Sequence, residues 1–227
     1  MAKTSTSREI RPAILDEAEK LFAQRGFGAV ALREIARAAG VNVGSITYHF
    51  GDKLGLLEAI YARHTRPMNA RRLELIGEAQ RVEDLDQRLT AILRGYLLPT
   101  FTSSDDLAGG GARFTRLRAM LSAEGNPQAR EIIARSFDAT TRVFIDAIAG
   151  CLPGARRQDI VWRSQFLLGS LYYTLINPER VERLSDGAID AADQDAAIAQ
   201  IVDASFASFR ALSRPGAHSA PKLENTE

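Results

Sequence analysis

GVNVGSITYHFGDK, residues 40–53, holds three glycines and an asparagine, yet its apolar residues keep a helical interval. Asn42 stands where a helix N-cap acceptor is wanted. From there Val43, Ile46 and Phe50 fall on one face at about 100° per residue, while Gly44, Ser45, Tyr48 and His49 point the other way, with Thr47 at the boundary. Gly51 ends this helix, and Asp52 caps a new one that begins at Lys53. The apolar face predicts packing. The opposite face carries hydroxyls, a phenol and an imidazole, which bond to phosphates or base edges, and the Thr47 methyl matches a thymine methyl. Gly44 has no side chain and permits close approach of the helix. Lys53 places a cation at a helix N-terminus, against the dipole, which makes sense if a phosphate binds between it and the free amides.

The flanks extend this pattern. Ile10, Ile14, Ala18, Leu21 and Phe22 form one stripe of a helix over 10–25, with Pro12 tolerated in its first turn, and Gly26-Phe27-Gly28 stops it. Leu32, Ile35, Ala36 and Ala39 share a face of a short second helix that ends at Gly40. Two short helices joined at Gly40 have the layout of a helix-turn-helix. The helix from Lys53 contains Pro67, which lacks an N–H and clashes with the Arg63 carbonyl, so a kink or break is expected near Thr65–Pro67. Further helical runs cover 84–101, 112–123, 127–151, 156–176 and 192–212, and no segment alternates like a strand. TSSDDLAGGG (102–111) reads as a flexible loop and 214–227 as a disordered tail. The expected fold is all-α: a three-helix head over 8–68 and a larger helical bundle over 69–213. The run over 156–176 is apolar almost all round and must be covered on both sides, by its own chain or by a second copy.

Composition narrows the field. The chain has 227 residues, 45% of them hydrophobic and 25% charged, as an ordinary globular protein does. Its formal charge of +1 neither favours nor excludes a nucleic-acid partner, because local clustering of charge is what matters. A single cysteine, Cys151, excludes an internal disulfide framework and fits a reducing cytoplasm. The N-terminus lacks the apolar core of a secretory signal, and FLLGSLYYTLI (166–176) is shorter than the roughly 20 residues a bilayer demands, so no membrane role is expected.

Catalysis finds little support. The three histidines are His49, His64 and His218; none follows a glutamate by three positions, and no His-Glu-x-x-His occurs. Cys151 has no evident base. Gly26-Phe27-Gly28 starts like a dinucleotide-binding glycine pattern but follows a helix rather than a strand. No catalytic residue, metal ligand or cofactor is expected. An enzyme built on a helical bundle and a purely architectural interaction protein stand as the alternatives, and sequence-specific DNA retention separates both from a regulator.

AILDEAEKLFAQRGF (13–27) and LREIARAAGVNVGSITYHFGDKLGLL (32–57) resemble the TetR family of bacterial transcriptional repressors. The resemblance implies a DNA-binding helix-turn-helix head and a C-terminal helical body that dimerises and holds a small effector. The family's DNA contacts carry over to Arg33, Gly44, Ser45, Thr47, Tyr48, His49 and Lys53, with Asn42 at the entry of the same helix. The family commonly has a serine or threonine near Val30 and Ala31, which this chain lacks, and often a tyrosine at Thr47. Lys3, Arg8 and Arg11 are candidates for a compensating basic arm. The resemblance places an effector among Tyr96, Phe101, Phe114, Leu117, Arg118, Phe137, Phe144, Trp162 and Phe166. It places a homodimer seam on the last two long helices, through Gly169, Ser170, Tyr173, Ile198, Val202, Phe206 and Phe209. GVNVGSITYHFGDK, RPMNARRLEL (66–75) and LPGARRQDIVWRSQFLLGSLYYTL (152–175) are similar to a branch that responds to long-chain fatty acids or their thioesters. The partners so implied are double-stranded operator DNA, a hydrophobic or amphipathic effector and a second copy of the chain.

Overall fold

A computed structural model describes residues 7–101 and 111–213 of the protein. Every assigned element among them is helical: α1 Ser7–Arg25, α2 Leu32–Ala38, α3 Val43–Phe50, α4 Lys53–Ala79, α5 Leu85–Phe101, α6 Gly111–Glu124, α7 Pro127–Cys151, α8 Arg157–Ile176, α9 Pro178–Leu184 and α10 Gln194–Arg210, followed by a 3-10 turn. Of the loop expected over 102–111, residues 102–110 lie outside the described residues and Gly111 is instead the first residue of α6; the expected tail over 214–227 and Lys3 also lie outside them.

α1 and α3 pack against α4 and α2 packs on α1 and α3, burying Ile14, Phe22, Ile35, Ile46, Leu57 and Ile60 in one core. α3 has eight residues. A helix that short is marginal alone, so packing must hold it, and the anchor is Ile46, fully buried. Val43, expected on the inward face, is 40% exposed. It is the first residue of the helix, and the packing is carried one turn later by Ile46 and the half-buried Phe50. The N-cap of α2 is Ala31, whose side chain accepts nothing. The Glu34 carboxylate supplies the acceptor instead, taking the Ala31 N–H at 2.8 Å and Arg25 at 2.7 Å.

α4 runs unbroken from Lys53 to Ala79, so the break expected at Pro67 does not interrupt it. Tertiary packing supplies the reason. Tyr61 and Met68 are buried on either side of the proline, and Arg72, Ile76 and Ala79 further along the helix.

The core of the head does not end at the head. Phe114, Leu117 and Leu121 of α6 and Ile132 and Phe137 of α7 belong to it, while Ile76, Tyr96, Phe144, Ile160, Leu171 and Phe209 lie in a second core built from α5, the far half of α7, α8 and α10. α10 packs on α5 and α8. Ile198, Val202 and Phe209, expected at a free seam, are therefore already covered within one chain, at 1%, 4% and 0% exposure. α9 has no counterpart among the expected helices. Its seven residues, PERVERL, bury none of their side chains, and such a sequence shows no apolar stripe.

Candidate nucleic-acid interface

The Asn42 side chain caps α3 as expected, its Oδ1 accepting the Ser45 N–H at 2.8 Å and the Ser45 hydroxyl at 3.1 Å. A Cβ at Gly44 would come within 3.1 Å of that Oδ1, so the glycine also leaves the cap room. The hydroxyl of the exposed Thr47 donates to the Val43 carbonyl at 3.3 Å. Tyr48 is 83% exposed and stands edge-on to His49 at 5.1 Å. Arg33 is exposed on α2, and Arg11 lies 5.2 Å over the Phe50 ring. Of the residues of α3 expected to face DNA, Gly44, Thr47 and Tyr48 are exposed and Ser45 and His49 half-buried.

Lys53 is placed differently from a free phosphate ligand. Its ammonium lies 4.4 Å over the Phe27 ring and 3.5 Å from the Gly28 carbonyl. Burial pushes its pKa below the ordinary lysine value, against the opposing pull of Glu124 and Glu34. The same 26–28 loop is held from the other side by Glu124, the last residue of α6, whose carboxylate accepts the Phe27 N–H at 2.7 Å and the Gly28 N–H at 3.1 Å. Gly26 turns there with φ +84°, and a Cβ on it would meet Glu124 Oε1 at 2.3 Å. The body therefore grips the head beside Lys53, a link the sequence did not reveal because Glu124 and Phe27 are 97 residues apart.

The residues expected around an effector divide. Tyr96, Phe101, Phe114, Leu117, Arg118, Phe137 and Phe144 are buried. Tyr96 stacks on Phe144 at 4.0 Å, and Arg118 lies 3.6 Å over Phe137. Trp162 and Phe166 do not join them: they are 63% and 54% exposed and pair with each other at 6.0 Å on the outer face of α8. Gly169, Ser170 and Tyr173 are exposed on the same helix, and Phe206 is half-buried against the second core. Sequence reasoning missed Arg72, fully buried at the junction of the two cores. The signal was present, since Arg72 stands at helical spacing between Met68 and Ile76 on the buried stripe of α4. Among the described residues no helix is long and apolar enough to cross a membrane, and no cluster of His, Cys, Asp or Glu could hold a metal ion.

Comparison with known proteins follows the same division. The pattern described as "Bacterial regulatory proteins, tetR family" matches residues 14–60, and that described as "Tetracyclin repressor-like, C-terminal domain" matches residues 94–207. The HTH-type transcriptional regulator AcrR of Shigella flexneri is 40% identical over 96 residues, 42% of this chain and 44% of that protein. The HTH-type transcriptional repressor BepR of Brucella suis is 42% identical over 91 residues, 37% of this chain and 42% of its own length. The aligned part thus spans less than half the length of each of these relatives. In fold, the chain is similar to the fatty acid degradation regulator FadR of Bacillus halodurans, with TM-score 0.58 and 16% identity over 90% of this chain and 97% of that one. With the head pattern on α1–α4 and the body pattern over half the chain, the protein belongs to the TetR family of DNA-binding transcriptional regulators.

Proposed function

We propose that the protein is an effector-responsive repressor that binds a palindromic operator as a C2 homodimer in the cytoplasm. Residues 8–68 read DNA, and residues 69–213 dimerise and take a small hydrophobic or amphipathic effector, an acyl compound or its thioester. The observation that carries this reading is the outward side of α3, where Tyr48 is 83% exposed beside Gly44 and Thr47, above a helix pinned by Ile46. A polar, exposed, rigidly mounted helix face of this kind suits a major groove. Support for an acyl effector comes from the similarity to FadR, named for fatty acid degradation, and from the apolar and aromatic interior of the body.

The exposed stripe of α8, with Trp162, Phe166, Gly169, Ser170 and Tyr173 at intervals of three and four, is the surface we assign to the second copy. Such a dimer presents two α3 helices to half-sites about 34–36 Å apart, or a multiple of that. The effector releases DNA only to the extent that it binds the released conformation more tightly.

Selection from random duplex DNA tests the reading. The wild-type protein is expected to enrich an inverted repeat, and Tyr48→Ala to bind it more weakly with an unchanged melting temperature. Lys53→Ala should lower the slope of log affinity against log salt by about one, provided the ammonium leaves Phe27 for a phosphate. Enrichment of no sequence above the random pool would overturn the assignment.

A further inference from the structure

Two arginines lie inside the body. Arg72, 0% exposed, donates from Nε to the Tyr96 carbonyl at 2.8 Å and from Nη2 to Thr100 Oγ1 at 2.7 Å, while its Nη1 is buried with no hydrogen-bond partner. Its guanidinium lies 4.2 Å from the Tyr96 ring and 5.9 Å from the Phe137 ring. Arg118, 7% exposed, lies over the same Phe137 ring at 3.6 Å and 4.8 Å from the Tyr172 ring. The hydroxyls of Tyr61 and Tyr172 are also buried and unpartnered. Carboxylates pair with other arginines, among them Arg25, Arg63, Arg135, Arg157 and Arg210; among the described residues none pairs with Arg72 or Arg118.

Burying a charge is expensive unless an opposite charge and hydrogen bonds compensate it, and here two like charges share one aromatic enclosure. Burial, with the Arg118 charge adding to it, pushes the Arg72 guanidinium below its ordinary value. Stacking on rings offsets only part of the lost hydration. An anion with oxygen acceptors for a guanidinium edge and phenolic hydroxyls, carried on an apolar body that packs on the rings, would compensate both charges.

We propose that Arg72 and Arg118, with Tyr61, Tyr96, Phe137 and Tyr172, form the head-group site for a small organic carboxylate effector. This rests on the effector-responsive reading above and narrows the effector to an anion. The site is placed to regulate. Tyr96 belongs to the far core and Phe137 to the core shared with the head, so Arg72 bridges the two. Arg118 lies on α6, the helix whose last residue, Glu124, holds the 26–28 loop of the head. An anion that draws Arg118 toward Arg72 moves the helix that grips the head.

The test uses the purified full chain without DNA. Thermal unfolding is followed with octanoate, benzoate, octan-1-ol, benzyl alcohol and inorganic phosphate, in wild type and in Arg72→Met, Arg118→Met and Arg118→Lys. The carboxylates are expected to raise the wild-type melting temperature, while the alcohols of the same shape do not. Each methionine variant should lose at least tenfold in carboxylate affinity, and Arg118→Lys should retain part of it. Arg118→Met should melt at or above the wild-type temperature without ligand, because an uncompensated charge is removed; a loss of binding is then not a loss of fold. Three results would each overturn the proposal: no carboxylate shift in wild type, an equal shift in Arg118→Met, or a shift with phosphate or the alcohols that matches the carboxylates. Retention of the selected duplex is measured in parallel. Carboxylate binding without DNA retention would sink the regulator reading alone, and DNA retention without carboxylate binding would sink the anion site alone.

Discussion

Glu19 shows how single residues hold the head together. It lies on α1 at 1% exposure, 2.7 Å from His64 Nε2 and in contact with Arg63, both on α4. Burial pushes its carboxyl up, but the hydrogen bond and charge of His64, with those of Arg63, outweigh this and hold it below the ordinary value of 4.5. A carboxyl whose folded pKa is lowered stabilises fully above its unfolded pKa and loses that contribution as pH falls through the folded one. Glu19→Gln is therefore expected to cost about 2 kcal/mol at neutral pH, the scale of hydrogen bonds to a charged group. The gap between the two proteins should close as pH falls below 4.5, measured by urea unfolding across that range. A gap that stays constant down to strongly acid pH would remove the ionised carboxylate from the account. Tyr48 and Lys53 differ at the same scale: Tyr48 stands clear of the core at 83% exposure, whereas the Lys53 ammonium lies 4.4 Å over the Phe27 ring.

Between elements, α6 carries more than its sequence announced. Glu124 ties the end of α6 to the turn between α1 and α2 through two main-chain N–H groups. Glu124→Ala is expected to cost about 1 kcal/mol, since the carboxylate is exposed to water. It should speed hydrogen exchange at the Phe27 and Gly28 amides while leaving the α5 amides unchanged; equal protection in both proteins would show that the tie is idle. α4 is the other connector. Pro67 sits in an unbroken helix whose two halves are buried in different cores, and its missing N–H leaves the Arg63 carbonyl without that partner. Pro67→Ala is expected to raise stability by up to about 3 kcal/mol and to weaken the effector's influence on DNA affinity, because a stiffer connector has fewer arrangements to choose between. An effector response as large as in wild type would leave Pro67 as a bend only.

For the assembled protein, burial separates two kinds of apolar residue that look alike along the chain. Phe166 is 54% exposed on α8, whereas Phe209 is 0% exposed on α10. Phe166→Asp is expected to leave each chain folded and to split the dimer, seen as a halved mass in sedimentation with unchanged helical circular dichroism. Phe209→Asp should unfold the body, because the charge enters a packed core. A stable dimer of Phe166→Asp would move the seam off this face of α8. The same contrast explains why spacing alone misleads on α10: Ile198, Val202 and Phe209 have the spacing of a seam, but α5 and α8 reach them first.

Much of the head was legible because its determinants are local. The Asn42 cap, the positive φ of Gly40 and Gly51 and the three-to-four spacing around Ile46 act over a few residues, and so they read directly as α2, turn and α3. The outward set on α3 followed from the same geometry, with Val43 the exception at the helix start. The body was legible as helices but not as an interior. Trp162 and Phe166 have the side chains of a pocket and lie on the surface; Arg72 has the side chain of a surface and lies in the core. Composition cannot distinguish these cases, because exposure depends on which helices land on a given face. For Arg72 that is settled only when Tyr96 and Thr100 of α5 and Phe137 of α7 close around α4, bringing together residues 24 to 65 positions apart. The sequence by itself determined the helices of the head and the outward face of α3. The tertiary structure alone decided which charges are enclosed, because enclosure is a property of the packed chain and desolvation is felt only there.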